Sequence, residues 1–248
     1  MNFVFSPEYL SDKEKYVALI KNFDNLGKDF GNSRRNEIKK FNLEGEKIVV
    51  KSFKVPNIIN KVAYKYLRKS KARRSFENAT YLKEHNLGTP APIAYAEEEG
   101  LLYGSSYYLC EEALCQLTIR ELIHDPGYPD RENILREFAR FTFKLHENNV
   151  NFLDHSPGNS LIEKTPEGYR FSLVDLNRME FKTMGFEDRM KNFHRITPSR
   201  EMAVIIANEY SKLIPQEESL VFDKLWGYIQ EFQKKALRKK RLKAKLGL

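Results

Sequence analysis

Residues 152–162 read FLDHSPGNSLI, and residues 173–177 read LVDLN. The first stretch puts Asp154 on a loop and Asn159 five residues later, where a β-rich run begins; the second ends an apolar run on Asp175. Between them Pro166 to Gly168 signal a turn, so runs 160–163 and 169–174 are expected to flank it as a hairpin that draws distant positions together. Transfer of a γ-phosphoryl group needs a group to orient or deprotonate the acceptor hydroxyl, and hard oxygen ligands for Mg²⁺. Asp154 suits the first role, and Asn159 with Asp175 the second. Each motif alone also fits ordinary turn-capping residues. The joint pattern is what makes the reading specific.

Working outward, the spacing of Ile134, Phe138, Phe141 and Leu145 predicts a helix over 131–149, with a shorter one over 117–124. His146, at the end of the longer helix, reads as structural. His155 is open to a substrate contact or a supporting role. Helices are also predicted over 199–213 and 219–233, the latter with Phe222, Leu225, Trp226, Ile229 and Phe232 on one core-facing side. The other half of the chain reads as sheet plus one or two helices. A short strand with Phe3 and Phe5 precedes a helix opening at Ser11, and FNLEGEKIVVKSF (41–53) is a hairpin turning at Glu44-Gly45. Helical spacing over 58–86 breaks near Ser70, with a second helix from Ser75 to Asn86 stopped by Gly88 and Pro90, before strands at 92–97 and 106–111.

On these motifs the sequence resembles the protein-kinase-like superfamily from about residue 26 to 180. Ile48-Val49-Val50-Lys51 is similar to the strand whose Lys holds the α and β phosphates, and Glu77 in Arg73–Ala79 is its expected helix partner. The run 107–110 followed by Glu111-Glu112-Ala113 resembles the hinge whose backbone binds the adenine edge, so Glu111 and Ala113 are expected to bind cofactor. The Pro157-Gly158-Asn159 loop ending looks like small-molecule kinases. The basic run 68–74 and Leu87–Pro92 look closest to bacterial lipopolysaccharide core kinases of the Kdo and heptose type. The resemblance implies an α+β, two-lobed fold: an N-terminal lobe of antiparallel sheet plus helix over 1–112, a mainly helical lobe over 113–233, and a basic tail over 234–248. It implies ATP and Mg²⁺ as cofactors and a sugar hydroxyl of the lipopolysaccharide inner core as acceptor. Another small-molecule or protein acceptor, or a non-catalytic binding module, are the alternatives.

Four departures bear on mechanism. Phe152 stands where the superfamily usually has His, and Asp175-Leu176-Asn177 replaces Asp-Phe-Gly. In place of a Gly-rich loop stands Gly31–Asn36, where Arg34 or Arg35 would meet phosphate. No activation-loop phosphosite or Ala-Pro-Glu motif follows Asp175, which argues against a conventional protein kinase.

Charge is distributed to match. The 248 residues carry a net +8, yet 234–248 alone hold eight basic residues and no acid, and 61–75 hold seven, leaving the remainder at −7. Such clusters suit an anionic membrane surface. Nucleic acid offers the same electrostatics, but no stacking platform accompanies the charge. No apolar run reaches the roughly 18 residues that span a bilayer, and no secretory signal is visible. The expected place is the cytoplasm, peripheral on the inner face of the inner membrane. Cys110 and Cys115 match no metal or redox spacing and are expected as small core residues.

Overall fold

In a computed structural model, residues 1–30, 36–53, 69–98 and 104–246 are described. They divide into two compact units, Met1–Ala113 with Asp175–Arg178, and Leu114–Val174 with Met179–Leu248.

The first unit is built on a six-stranded antiparallel sheet: β1 (Asn2–Phe5), β2 (Lys28–Asp29), β3 (Asn36–Leu43), β4 (Glu46–Phe53), β5 (Pro92–Glu97) and β6 (Ser106–Glu111), in the order β1-β5-β6-β4-β3-β2. The β3–β4 hairpin turns where the sequence predicts, with Glu44 (φ 53°) and Gly45 (φ 93°) both left-handed. That pair of angles matches the right-handed twist of the flanking strands. Val50, Leu109 and Ala94 lie in one cross-strand row and pack with Tyr16, Leu19 and Ile20 of helix α1 (Lys13–Lys21). The next row, Lys51, Tyr108 and Tyr95, points to the opposite face by the two-residue period of a strand. There Phe76 of helix α2 (Lys71–Glu84) meets the Tyr95 ring at 5.3 Å. Lys51 therefore emerges on the α2 side of the sheet.

Three helix ends differ from expectation. Helix α1 begins after Asp12 rather than Ser11. Helix α2 begins at Lys71, four residues before the predicted Ser75, because Ser70 is not a break but the cap: its hydroxyl accepts from Arg73 N at 2.9 Å. The same helix is closed by Asn86 in the left-handed region (φ 52°), not by Gly88; Leu87 N donates to Leu82 O and Asn86 N to Lys83 O, the paired bonds of a Schellman ending. The helix expected over 58–68 lies outside the described residues.

The second unit holds β7 (Leu117–Thr118), α3 (Ile119–His124), α4 (Arg131–Glu147), β8 (Val150–Phe152), β9 (Ser160–Thr165), β10 (Gly168–Leu173), β11 (Met179–Phe181), α5 (Phe186–Asn192), α6 (Arg200–Ser211) and α7 (Glu218–Lys245). Its core joins Ile134, Phe138, Met202, Ile206, Leu225 and Ile229 from α4, α6 and α7. The predicted 160–174 hairpin is present as β9–β10, with Ser160 opposite Leu173. Helix α7 does not stop at residue 233: it runs unbroken to Lys245, and every described residue from Lys234 onward is exposed. Cys110 is buried, whereas Cys115 is exposed in the segment before β7, so only one of the two is a core residue. Among the described residues no helix is long and apolar enough to cross a membrane.

Candidate active site

In the first unit, Lys51 and Asp175, 124 residues apart in sequence, form an ion pair. The Lys51 side chain is only 13% exposed, lying over the Phe53 ring. Asp175 adopts a left-handed backbone (φ 61°), a conformation Asp tolerates better than most residues. Its Oδ1 also accepts from Asn177 Nδ2 at 2.8 Å. Helix α2 holds this short segment by its backbone: Arg74 Nη1 donates to Asn177 O at 2.7 Å and Asn78 Nδ2 to Leu176 O at 2.6 Å.

The expected Lys51–Glu77 ion pair is not formed. Glu77 takes Arg73, one helical turn earlier, at 2.9 Å and Lys69 at 2.8 Å. Both cations lie on or beside its own helix, so they reach its carboxylate without crossing to the sheet. Burial raises the Glu77 pKa, but the hydrogen bonds from Lys69 and Arg73 outweigh it and hold the carboxyl below its usual range. In the segment expected to be the hinge, Glu111 N donates to Ala91 O and Glu112 N to Lys47 O, so the next amide along is that of Ala113. The Glu111 side chain accepts from Tyr9 OH at 2.7 Å. Arg34 and Arg35 lie outside the described residues.

In the second unit, Asp154 follows β8 and is half-buried, in an ion pair with Arg195. Asn159 ends a 3-10 turn opened by Pro157. Its Nδ2 donates to Asp154 O at 2.9 Å, so the nitrogen is the end tied to the loop and the oxygen the end left for a cation. Val174 N donates to Asn159 O at 3.0 Å, one bond short of Asp175 along the chain. Gly158 has a steric reason: a Cβ there would meet the Arg120 guanidinium at 2.6 Å.

Phe152 is buried, and Asn192 of α5 donates to its carbonyl, Phe152 O, at 3.0 Å. His155 is 1% exposed, which removes it from direct contact with solvent, and burial pushes its pKa down to about 4. His146 is equally buried, at about 3, between Tyr210 OH and Asn192. Its structural reading holds.

Among the described residues no cluster of three or more His, Cys, Asp or Glu side chains is assembled. The Asp175 carboxylate is by its chemistry a donor that suits Mg²⁺, which is commonly held by one or two carboxylates plus substrate phosphates and water.

Sequence reasoning missed Asn177, Arg74, Asn78, Asn192 and Arg195. Only Asn177, inside LVDLN, stood in a stretch singled out by pattern. The others act through tertiary contacts with no local signature.

The model of the lipopolysaccharide kinase (Kdo/WaaP) family matches residues 31–215. Among solved structures the chain is similar to that of WaaP in complex with acyl carrier protein, with a TM-score of 0.66 over 96% of this chain and 99% of that chain. Sequence identity between the two is 16%, so this likeness bears on the fold: a protein-kinase-like one, with an antiparallel sheet in its N-terminal part and helices in its C-terminal part. No curated protein sequence matches. Since the family model spans most of the chain, this protein belongs to the lipopolysaccharide kinase (Kdo/WaaP) family and is a kinase, an ATP-using phosphotransferase.

Proposed function

We propose that the protein transfers the γ-phosphate of ATP to a sugar hydroxyl of the lipopolysaccharide inner core, on Kdo or heptose. The observation that carries the mechanistic part is the Lys51–Asp175 ion pair. It brings together, within one unit, the cation suited to the α and β phosphates and the carboxylate suited to the metal. Nucleotide would give each a new partner. Lys51 would bind phosphate oxygens, and Asp175 with the Asn159 amide oxygen would hold Mg²⁺, which offsets charge on the phosphates during transfer. Asp154 would accept the proton of the attacking hydroxyl. The adenine edge would be read by the Glu111 carbonyl and the Ala113 amide, a reading supported by the prior engagement of the Glu111 and Glu112 amides. Glu77 would act one step removed, steadying α2 through Lys69 and Arg73.

The acceptor would be lipid-linked and met at the cytoplasmic face of the inner membrane. Support comes from the C-terminal part of α7, where eight basic residues, all exposed among those described, lie within 234–246. Such residues gain roughly 1 kcal/mol each near an anionic surface. The second basic run contributes less, since Lys69, Arg73 and Arg74 are engaged within the first unit. Residues 61–68 lie outside the described residues.

Mass spectrometry of the lipid core from cells with and without the protein tests the reading directly. One additional phosphate on Kdo or on heptose is expected, and its position names the sugar. An unchanged core, with purified protein phosphorylating neither Kdo- nor heptose-bearing lipid, would sink it.

A further inference from the structure

We propose that Asn192 and Arg195, at and just beyond the C-terminal end of α5, are positioning residues that fix the Asp154 loop at two points. The inference rests on the reading of Asp154 as the base, and its test separates the two.

Asn192 is 5% exposed, and its amide is fully engaged. Nδ2 donates to Asn151 Oδ1 and to Phe152 O, both at 3.0 Å. Since both of those atoms are acceptors, the amide orientation is settled, and Oδ1 is the end facing His155 Nδ1 at 2.9 Å and His146 Nε2 at 3.3 Å. An amide oxygen cannot donate. His155 must therefore be the Nδ1–H tautomer and His146 the Nε2–H tautomer, with Nδ1 of His146 accepting from Tyr210 OH at 2.7 Å. Burial keeps both rings neutral near neutral pH. His155 Nε2 is then a buried lone pair with no hydrogen-bond partner.

One buried amide thus ties together α4, the end of β8 and the residues on both sides of Asp154. The loop itself contributes His155 N donating to Phe152 O at 3.2 Å, the same carbonyl that Asn192 holds. Three residues beyond Asn192, Arg195 reaches the Asp154 carboxylate, with its own guanidinium 5.7 Å from the Phe232 ring of α7. Asn192 fixes the backbone of the loop; Arg195 fixes the side chain. Misplacing a reacting group by about 1 Å can cost on the order of 100-fold in rate, so a two-point anchor has a kinetic consequence.

Three measurements on the full chain test this. Spectra of ¹⁵N-labelled histidine are expected to report His155 as Nδ1–H and His146 as Nε2–H; the opposite tautomer at His155 overturns the assignment. Hydrogen exchange at the His155 backbone amide, which requires no acceptor sugar, is expected to quicken by roughly tenfold in N192A and in R195A. Unchanged exchange overturns it, and R195A decides alone where N192A does not fold. In turnover, R195A is expected to lose about 100-fold in kcat with the KM for ATP nearly unchanged, and R195K to recover part of the loss. Wild-type kcat in R195A overturns the proposal. Absence of transfer by the wild-type protein would instead count against Asp154 as the base, leaving exchange and tautomer to decide the role of Asn192 and Arg195.

Discussion

Asp175 and Asp154 each carry one cationic partner, but they come by it differently. Asp175 lies in the first unit against Lys51, a residue on a regular strand whose direction follows from alternation along β4. Asp154 lies in the second unit against Arg195, a residue past the end of a seven-residue helix. The first pair joins two groups whose partners in catalysis would be phosphate and metal. The second joins a would-be base to a cation that has no phosphate to seek in the proposed scheme. In the proposed scheme one pair would be a pair of placeholders and the other a fixture, and substitutions should separate them.

The largest effect is expected at the carboxylates. Both D154N and D175N should lower transfer by about 10²- to 10⁴-fold, but calorimetry should split them: D154N binds Mg-ATP as the parent does, while D175N loses most of that affinity. Equal loss of nucleotide binding in both would erase the distinction. Next, K51M should raise the KM for ATP as well as lower kcat, in contrast to a pure kcat effect at Arg195.

A smaller contrast concerns stability within helix α2. Asn78→Ala leaves the Leu176 carbonyl unsatisfied in a buried place and should cost about 1–3 kcal/mol in urea unfolding. Glu77→Ala breaks partly exposed ion pairs and should cost at most about 1 kcal/mol. A larger cost at Glu77 than at Asn78 would reverse the account of what α2 holds in place.

The second unit should also be the more acid-sensitive around its loop. His146 and His155 have folded pKa values of about 3 and about 4, below the value near 6.5 of an unfolded histidine. Between these limits the unfolded chain binds more protons, so stability is intact above pH 6.5 and falls as the pH drops toward 3. Thermal melts across pH 7 to 4 check it; a flat profile would contradict the buried neutral rings.

Much of this architecture could be read from sequence because periodicity reports burial. The β3–β4 hairpin, strands β5 and β6, helices α4 and α6 and the β9–β10 hairpin all follow from alternation, helical spacing and turn residues. Where prediction slipped, a short-range polar contact was deciding: Ser70 reads as a break until its hydroxyl is seen to cap Arg73, and Asn86 does what Gly88 seemed placed to do. Asp154, Asn159 and Asp175 stand out in the sequence because their spacing along one hairpin is local. Lys51 stands out as well, yet its ion-pair partner does not, since nothing in the chain near Lys51 indicates which of several acids approaches from far along the sequence. Asn192 is the extreme case: all four of its hydrogen-bond partners lie in other elements, and a single Asn among Met190, Lys191 and Phe193 carries no pattern at all.

Helix α7 has one dry end and one wet end. Val221, Leu225 and Ile229 are buried, and from Lys234 onward the described residues are in solvent. Starting a helix is the costly step, and extending one is cheap. The buried turns do the starting, so the basic residues after them extend an existing helix and need no nucleus of their own, even though their like charges repel. Twelve residues at 1.5 Å each give an arm of about 18 Å. Such an arm meets an anionic surface already shaped, whereas an equally charged coil would first surrender about 1 kcal/mol or more of backbone entropy per residue. Preorganisation of that kind favours fast, reversible landing over tight retention, which would suit the proposed transfer to a lipid-linked sugar, where the enzyme leaves one lipid to find the next.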